Sequence, residues 1–120
     1  MKVFGHPLID TEQFYVIKSQ EEIAKTPSNV ILKIEKFDIE LMKYCQKNAL
    51  MYMVNVTNIK EAIFANLIGA KYIKASKSLA KELMPIAQNY LFDSQILGVI
   101  SKDSEIGELA KANVDGAWFK

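Results

Sequence analysis

The chain has 120 residues, half of them hydrophobic, with 15 basic and 14 acidic side chains and a formal charge of +1. That apolar content suffices for a packed core and argues against disorder, and the charge balance argues against nucleic acid as a partner. Every basic residue is Lys, so the planar fork that grips phosphate or carboxylate with two parallel bonds is missing.

The opening Met1-Lys2-Val3-Phe4-Gly5-His6-Pro7 lacks the apolar stretch of a secretory signal, and no run approaches the roughly 18 apolar residues of a membrane span. A lone Cys45 cannot form an intrachain disulfide. The expectation is one cytoplasmic α/β domain over residues 1–120, without membrane contact.

Short apolar runs rich in β-branched and aromatic residues alternate with stretches of helical period. The predicted strands are Phe14–Lys18, Val30–Glu35, Met51–Val56, Lys71–Ala75, Gln95–Ile100 and Gly116–Phe119. Their starts lie 16, 21, 20, 24 and 21 residues apart, too far for hairpins but right for a strand, a crossover helix and the next parallel strand. The first interval leaves room only for a short helix around Gln20–Lys25. Asp38, Thr57 or Asn58, Ser76 or Ser78, and Asp103 or Ser104 are set to cap the four longer helices. Pro85 falls inside the third of these, where it removes an N–H, so a kink or break is expected after Leu83. Gly69 provides a natural stop after the helix before it. The hexapeptide from Ala65 to Ala70 is echoed from Ala112 to Ala117, as if helix end, glycine turn and strand entry recurred.

Two phrases in residues 54–119 carry a likeness to a known group. They are Asn58-Ile59-Lys60-Glu61-Ala62-Ile63 leading to Gly69-Ala70-Lys71-Tyr72-Ile73, and Ile106-Gly107-Glu108-Leu109-Ala110 leading to Val114-Asp115-Gly116-Ala117-Trp118-Phe119. This half of the chain resembles the later βα units of phosphate-binding (β/α)8 barrel enzymes of the aldolase and indole-glycerol-phosphate-synthase type. In such enzymes a glycine-rich turn after the seventh strand cradles a phosphate. Here the corresponding turn is Ser101-Lys102-Asp103-Ser104-Glu105, with two carboxylates and no glycine. Tyr72-Ile73-Lys74-Ala75-Ser76 is similar to the strand-end lysine of class I aldolases. The resemblance therefore implies Lys74 as a Schiff-base nucleophile, with its pKa lowered by burial or by Lys33.

Ligands of parallel sheets bind beyond the carboxyl ends of the strands. Lys74 is the candidate catalytic residue there, and Lys33, Glu35, Asn55, Ser76 and Ser101 are candidate ligand-binding residues. The plainer reading is that Lys74 alternates outward or snorkels from its strand. For Lys33 and Glu35 it is that their strand runs past the sheet edge into solvent. His6 stands in a Gly-His-Pro turn and is expected to be exposed. Nothing in the sequence has metal-ligand spacing, and no cofactor is expected. Cys45, on the apolar face of its helix, reads as an inert core thiol.

The favoured architecture is a mainly parallel sheet of five or six strands in an open, flavodoxin-like or Rossmann-like three-layer arrangement. The alternative is a (β/α) half-barrel, whose concave face would need covering. The favoured function is a binding or interaction module that self-associates as a homodimer and takes a possible small-molecule ligand. The alternative is a lyase, aldolase-like, using Lys74 on a carbonyl or sugar-phosphate substrate. A receiver-like signalling domain comes third, since its acidic strand-end cluster is missing.

Overall fold

A computed structural model describes residues 1–120. Seven strands, β1 (Lys2–Phe4), β2 (Phe14–Val16), β3 (Ile31–Ile34), β4 (Tyr52–Asn55), β5 (Tyr72–Ser76), β6 (Gln95–Ile100) and β7 (Gly116–Phe119), form one sheet. Five helices connect them: α1 (Gln20–Ile23), α2 (Ile39–Lys47), α3 (Ile59–Leu67), α4 (Lys77–Asn89) and α5 (Ser104–Lys111). All six ladders are parallel. The spatial order is β1-β7-β6-β5-β4-β3-β2.

That order decides between the two arrangements left open by the sequence. From β2 to β7 the chain steps one strand at a time in a single direction. A doubly wound sheet needs a reversal, which sends helices to its second face. Right-handed crossovers without a reversal put every helix on one face. The other face can then escape water only by curling, and the sheet is a curled half-barrel rather than an open three-layer sandwich. It curls until its edges approach: the Phe4 ring on β1 lies 5.3 Å from Phe14 on β2, edge to face. The strand count is seven, not five or six, because Lys2–Phe4 pairs with β7 through Phe4 opposite Trp118. A three-residue strand next to a Gly-His-Pro turn has too little apolar alternation to be recognised alone.

Alternation along the strands sorts their side chains into two layers. Leu32, Ile34, Tyr52, Val54, Ile73, Ala75, Ile96 and Ile100 point outward into the larger core, against Leu41, Met42 and Cys45 of α2, Ala62 of α3 and Leu83 of α4. The inner layer takes one residue from each strand: Phe4, Phe14, Ile31, Met53, Tyr72, Leu97 and Trp118. Gly116 makes room for it. A Cβ there would come within 2.7 Å of Leu97 Cδ2 and of the Lys2 carbonyl oxygen.

Helix starts follow the predicted caps. Asp38, Asn58 and Ser76 accept from the N–H groups of Leu41, Glu61 and Leu79. Asp103 makes no such bond; Glu105 accepts from the Ser101 and Lys102 N–H groups instead. The α4 helix passes through Pro85 without a break. Pro85 is exposed, so the carbonyl it leaves unpaired lies toward water, while Ala80, Leu83, Met84 and Ala87 hold the helix on the sheet.

The hexapeptide echo does not superpose as read. Gly69 is left-handed (φ 83°), whereas Gly116 lies inside β7 and the left-handed residue of the second copy is Asn113 (φ 62°). The true repeat is a shared helix ending. After α2, α3, α4 and α5 the chain turns through left-handed Ala49, Gly69, Leu91 and Asn113. Each time the next N–H bonds back to the carbonyl five residues earlier, as in Leu50 to Cys45 and Phe92 to Ala87.

At the amino end of the sheet Glu12 accepts from Lys2 Nζ (3.2 Å), Lys71 Nζ (3.0 Å) and Tyr72 Oη (2.7 Å). It ties the β1–β2 connection under the inner layer. Burial works against its charge, but the bonds from Tyr72, Lys71 and Lys2 outweigh it and hold the carboxyl at about 2 instead of 4.5. A depressed folded-state pKa gives stability that is present above the ordinary value and lost as pH falls toward the folded one. Glu12→Gln should therefore lower the urea midpoint at pH 7, and the gap from wild type should close between pH 4.5 and 2. A gap independent of pH would show that the carboxylate charge does not matter.

Leu91 holds a left-handed backbone with its side chain 82% exposed. The Cβ clash there costs about 1 kcal/mol and little packing offsets it, so Leu91→Gly should stabilise by about 0.5–1 kcal/mol in urea denaturation. A loss of stability would mean that the Leu91 side chain makes contacts that matter.

Candidate functional site

Where the strands end, the inward alternation that places Ile31, Met53 and Tyr72 in the apolar layer brings up Lys33, Asn55 and Lys74 next. Asn55 stands opposite Lys74 in the β4–β5 ladder, and Lys33 opposite Met53 in the β3–β4 ladder. Both lysines lean over one ring: Lys33 Nζ is 4.5 Å and Lys74 Nζ 4.8 Å from the centre of the Trp118 indole. An indole face attracts cations, by about 0.5–1 kcal/mol where exposed and more where desolvated. Trp118 is half-buried beneath them and forms the floor of the mouth.

Two ammonium groups in one apolar mouth repel each other. Burial first, and the neighbouring Lys33 charge second, bring Lys74 down to about 8, with Glu35 pulling weakly the other way. A lysine at that value is free amine in roughly one molecule in ten at neutral pH, against about one in three thousand for an ordinary lysine. Only the free amine attacks a carbonyl.

Beside the lysines opens a cleft of about 570 Å³ lined by Asn55, Thr57, Lys74, Ser76, Ser101 and Glu105, among others. Four of the six sequence candidates, Lys74, Asn55, Ser76 and Ser101, thus line one cavity. Lys33 stands behind Lys74 on the inner face, where it is half-buried, not in solvent past a sheet edge. Glu35 lies beyond the end of β3, exposed, along a separate cleft of about 330 Å³ with Lys18 and Asp38. Within the main cleft Asn55 Oδ1 is buried and accepts no hydrogen bond.

Two positions at the mouth escaped the sequence reading. Trp118 figured there only as part of the strand Gly116–Phe119, although its alternation with Gly116 already placed it on the inner face. Glu105 read only as one of two carboxylates in a turn. It accepts from Ser101 N (3.1 Å), Lys102 N (3.1 Å) and Lys77 Nζ (2.8 Å). Lys77 first, and then the Ser101 amide, hold its carboxyl near 2.

His6 is not exposed as expected: its side chain is 14% accessible. Nδ1 accepts from the Leu8 N–H at 3.1 Å, and Nε2 lies 3.0 Å from Asp103 Oδ1. With both ring nitrogens engaged it ties the end of β1 to the start of α5. Cys45 is fully buried, and burial lifts its thiol to about 11, which leaves it inert. No helix is long and apolar enough to cross a membrane.

No family model matches the chain, and no curated protein does. A solved structure described as "Native KDPGal structure" matches in fold with a TM-score of 0.61 at 14% identity, covering 75% of this chain and 46% of that one. The chain thus corresponds to less than half of that protein's length. At this identity the likeness is one of fold: a parallel α/β sheet like part of a (β/α)8 barrel.

Proposed function

We propose that the chain is a carbonyl-active, aldolase-like lyase in which Lys74 forms a Schiff base with an aldehyde or ketone. The observation that carries this reading is the placement of a half-buried Lys74 with Lys33 over one indole ring, at the wall of a polar cleft. The resemblance of residues 54–119 to aldolase-type barrels and the fold likeness to KDPGal support it. In the proposed step the free Lys74 amine attacks the carbonyl carbon, a C–N bond forms and the carbonyl oxygen leaves as water. The resulting iminium withdraws electrons from the neighbouring carbon–carbon bond, which is how such a lysine assists cleavage or formation of that bond. Burial first, and the Lys33 charge second, favour the free amine; Trp118 lies under both side chains.

Borohydride trapping tests the step. Incubation with glyceraldehyde followed by reduction should leave a stable adduct on Lys74 by peptide mass spectrometry, reduced in Lys33→Met at neutral pH as the part of the shift due to the Lys33 charge is lost while the part due to burial stays. Adduct spread evenly over the fifteen lysines, or unchanged at Lys74 in Lys33→Met, would overturn the assignment.

A lysine held for chemistry in a partly apolar mouth weakens the fold. Its folded pKa lies below the ordinary 10.5, so the unfolded chain binds more protons and stability rises as pH climbs from 8 to 10.5. Lys74→Met should therefore be more stable than wild type at pH 7, with the difference shrinking over that interval. A less stable variant would mean that Lys74 serves packing.

Self-association is the second reading, favoured by one observation. Leu67, Tyr90 and Leu91, at the carboxyl ends of α3 and α4, are 68%, 71% and 82% exposed. Light scattering across concentration separates a monomer from the dimer this reading requires.

A further inference from the structure

We infer that Glu105 is a specificity-determining residue that turns phosphorylated substrates away and reserves the cleft for neutral, hydroxylated aldehydes or ketones. The inference rests on the lysine reading of the same site. Backbone N–H groups at a strand-to-helix turn are the natural grip for a phosphate, because they are unpaired and aligned with the positive end of the helix dipole. In this chain they are already taken. Glu105 Oε1 accepts from Ser101 N and Lys102 N, both at 3.1 Å, and from Ser101 Oγ at 3.4 Å. Across the cleft Glu61 Oε1 accepts from Thr57 N at 2.8 Å and from Thr57 Oγ1 at 3.0 Å. Of the lysines lining the cleft, Lys77 stands nearest these amides, and it is bonded to Glu105 at 2.8 Å and reaches Glu108 as well.

A phosphate entering here would meet a carboxylate on the amides that should receive it, and a lysine already neutralised. The group left wanting in the cleft points the same way. Asn55 Oδ1 is buried without a partner and needs a hydrogen-bond donor. With the Asn55 amide turned into the cleft that its residue lines, a sugar hydroxyl supplies one, whereas a phosphate dianion has only acceptors. Ser76, Ser101 and the carboxylate of Glu105 can also exchange hydrogen bonds with hydroxyls.

The test compares two probes, glyceraldehyde and glyceraldehyde 3-phosphate, by the rate of borohydride-fixed labelling at Lys74. Wild type should be labelled by glyceraldehyde at least as fast as by its phosphate. Glu105→Ala frees two amides and leaves Lys77 with Glu108 alone, so the phosphate-to-neutral rate ratio should rise at least about tenfold, the scale of one charge-assisted hydrogen bond. Glu105→Gln keeps an acceptor for the amides while removing the charge, and should shift the ratio in the same direction by less. It also stands in if the loss of the cap impairs folding of the alanine variant. Wild type preferring the phosphate, or a ratio unmoved in both variants, overturns the inference while leaving a labelled Lys74 intact. Failure of both probes to label Lys74 instead overturns the lysine reading, and the inference falls with it.

Discussion

The structure depends on the direction of its crossovers. A right-handed strand–helix–strand connection lays its helix on a face set by the direction of the step, and from β2 to β7 every step has the same sense. Five helices therefore share one face, and the other would present some seven strands' worth of apolar side chains to water. No local propensity corrects this; curvature does. Once the sheet curls, residues that alternate away from the helices meet at an axis, and seven strands supply one inner residue each. The aromatic content of that layer follows from geometry. Phe4, Phe14, Tyr72 and Trp118 lie edge-to-face or tilted with ring centres 5.1 to 6.2 Å apart, and such large rings fill a space that six or seven aliphatic side chains would leave underpacked.

The same curvature gives the polar residues of the strands their meaning. In a flat sheet covered on both faces, a lysine within Val-Ile-Leu-Lys-Ile-Glu has no tolerable place. In a curled one the inner face has an axial direction, apolar at mid-strand and open at its carboxyl end. Lys33 and Lys74 follow Ile31 and Tyr72 by two residues and emerge at the opening. Their stems cover the apolar layer while their ammonium groups sit over Trp118. Fold and site are thus one consequence of the alternation, read at successive levels along the axis. The amino end is closed differently, by Glu12 gathering Lys2, Lys71 and Tyr72.

Much of this was legible in the residues. Six of seven strands, the parallel βα alternation and the Asp38, Asn58 and Ser76 caps come from signals within a few positions of one another. Lys74, Asn55, Ser76 and Ser101 were legible as a group because strand ends of a parallel sheet gather at one side. Other features depend on contacts distant in sequence. β1 is a strand because Val3 and its neighbours find β7 more than a hundred residues later. Curling depends on the absence of a reversal, a property of the whole topology. Pro85 leaves α4 unbroken because tertiary packing on Leu83 and Met84 outweighs one lost hydrogen bond at a solvated position. The left-handed helix ends were visible only where glycine marked one; Ala49 and Leu91 carry the same turn without the residue that would announce it.

Glu105 shows how one side chain serves fold and selectivity together. As a cap it satisfies two amides that a helix start would otherwise leave bare, and its bond to Lys77 joins α5 to α4 across the top of β6. Those amides, left free, would have offered an anion site at the rim. A carboxylate at the second position of the helix is thus a local solution to helix initiation with a consequence beyond it. The chain has neither an arginine nor a glycine cradle, and the Ser101, Lys102 and Thr57 amides at the rim are committed within the protein. What the cleft still offers is a buried amide oxygen, several hydroxyls and an amine lowered toward neutrality. Those groups suit a carbonyl compound whose other oxygens can donate hydrogen bonds.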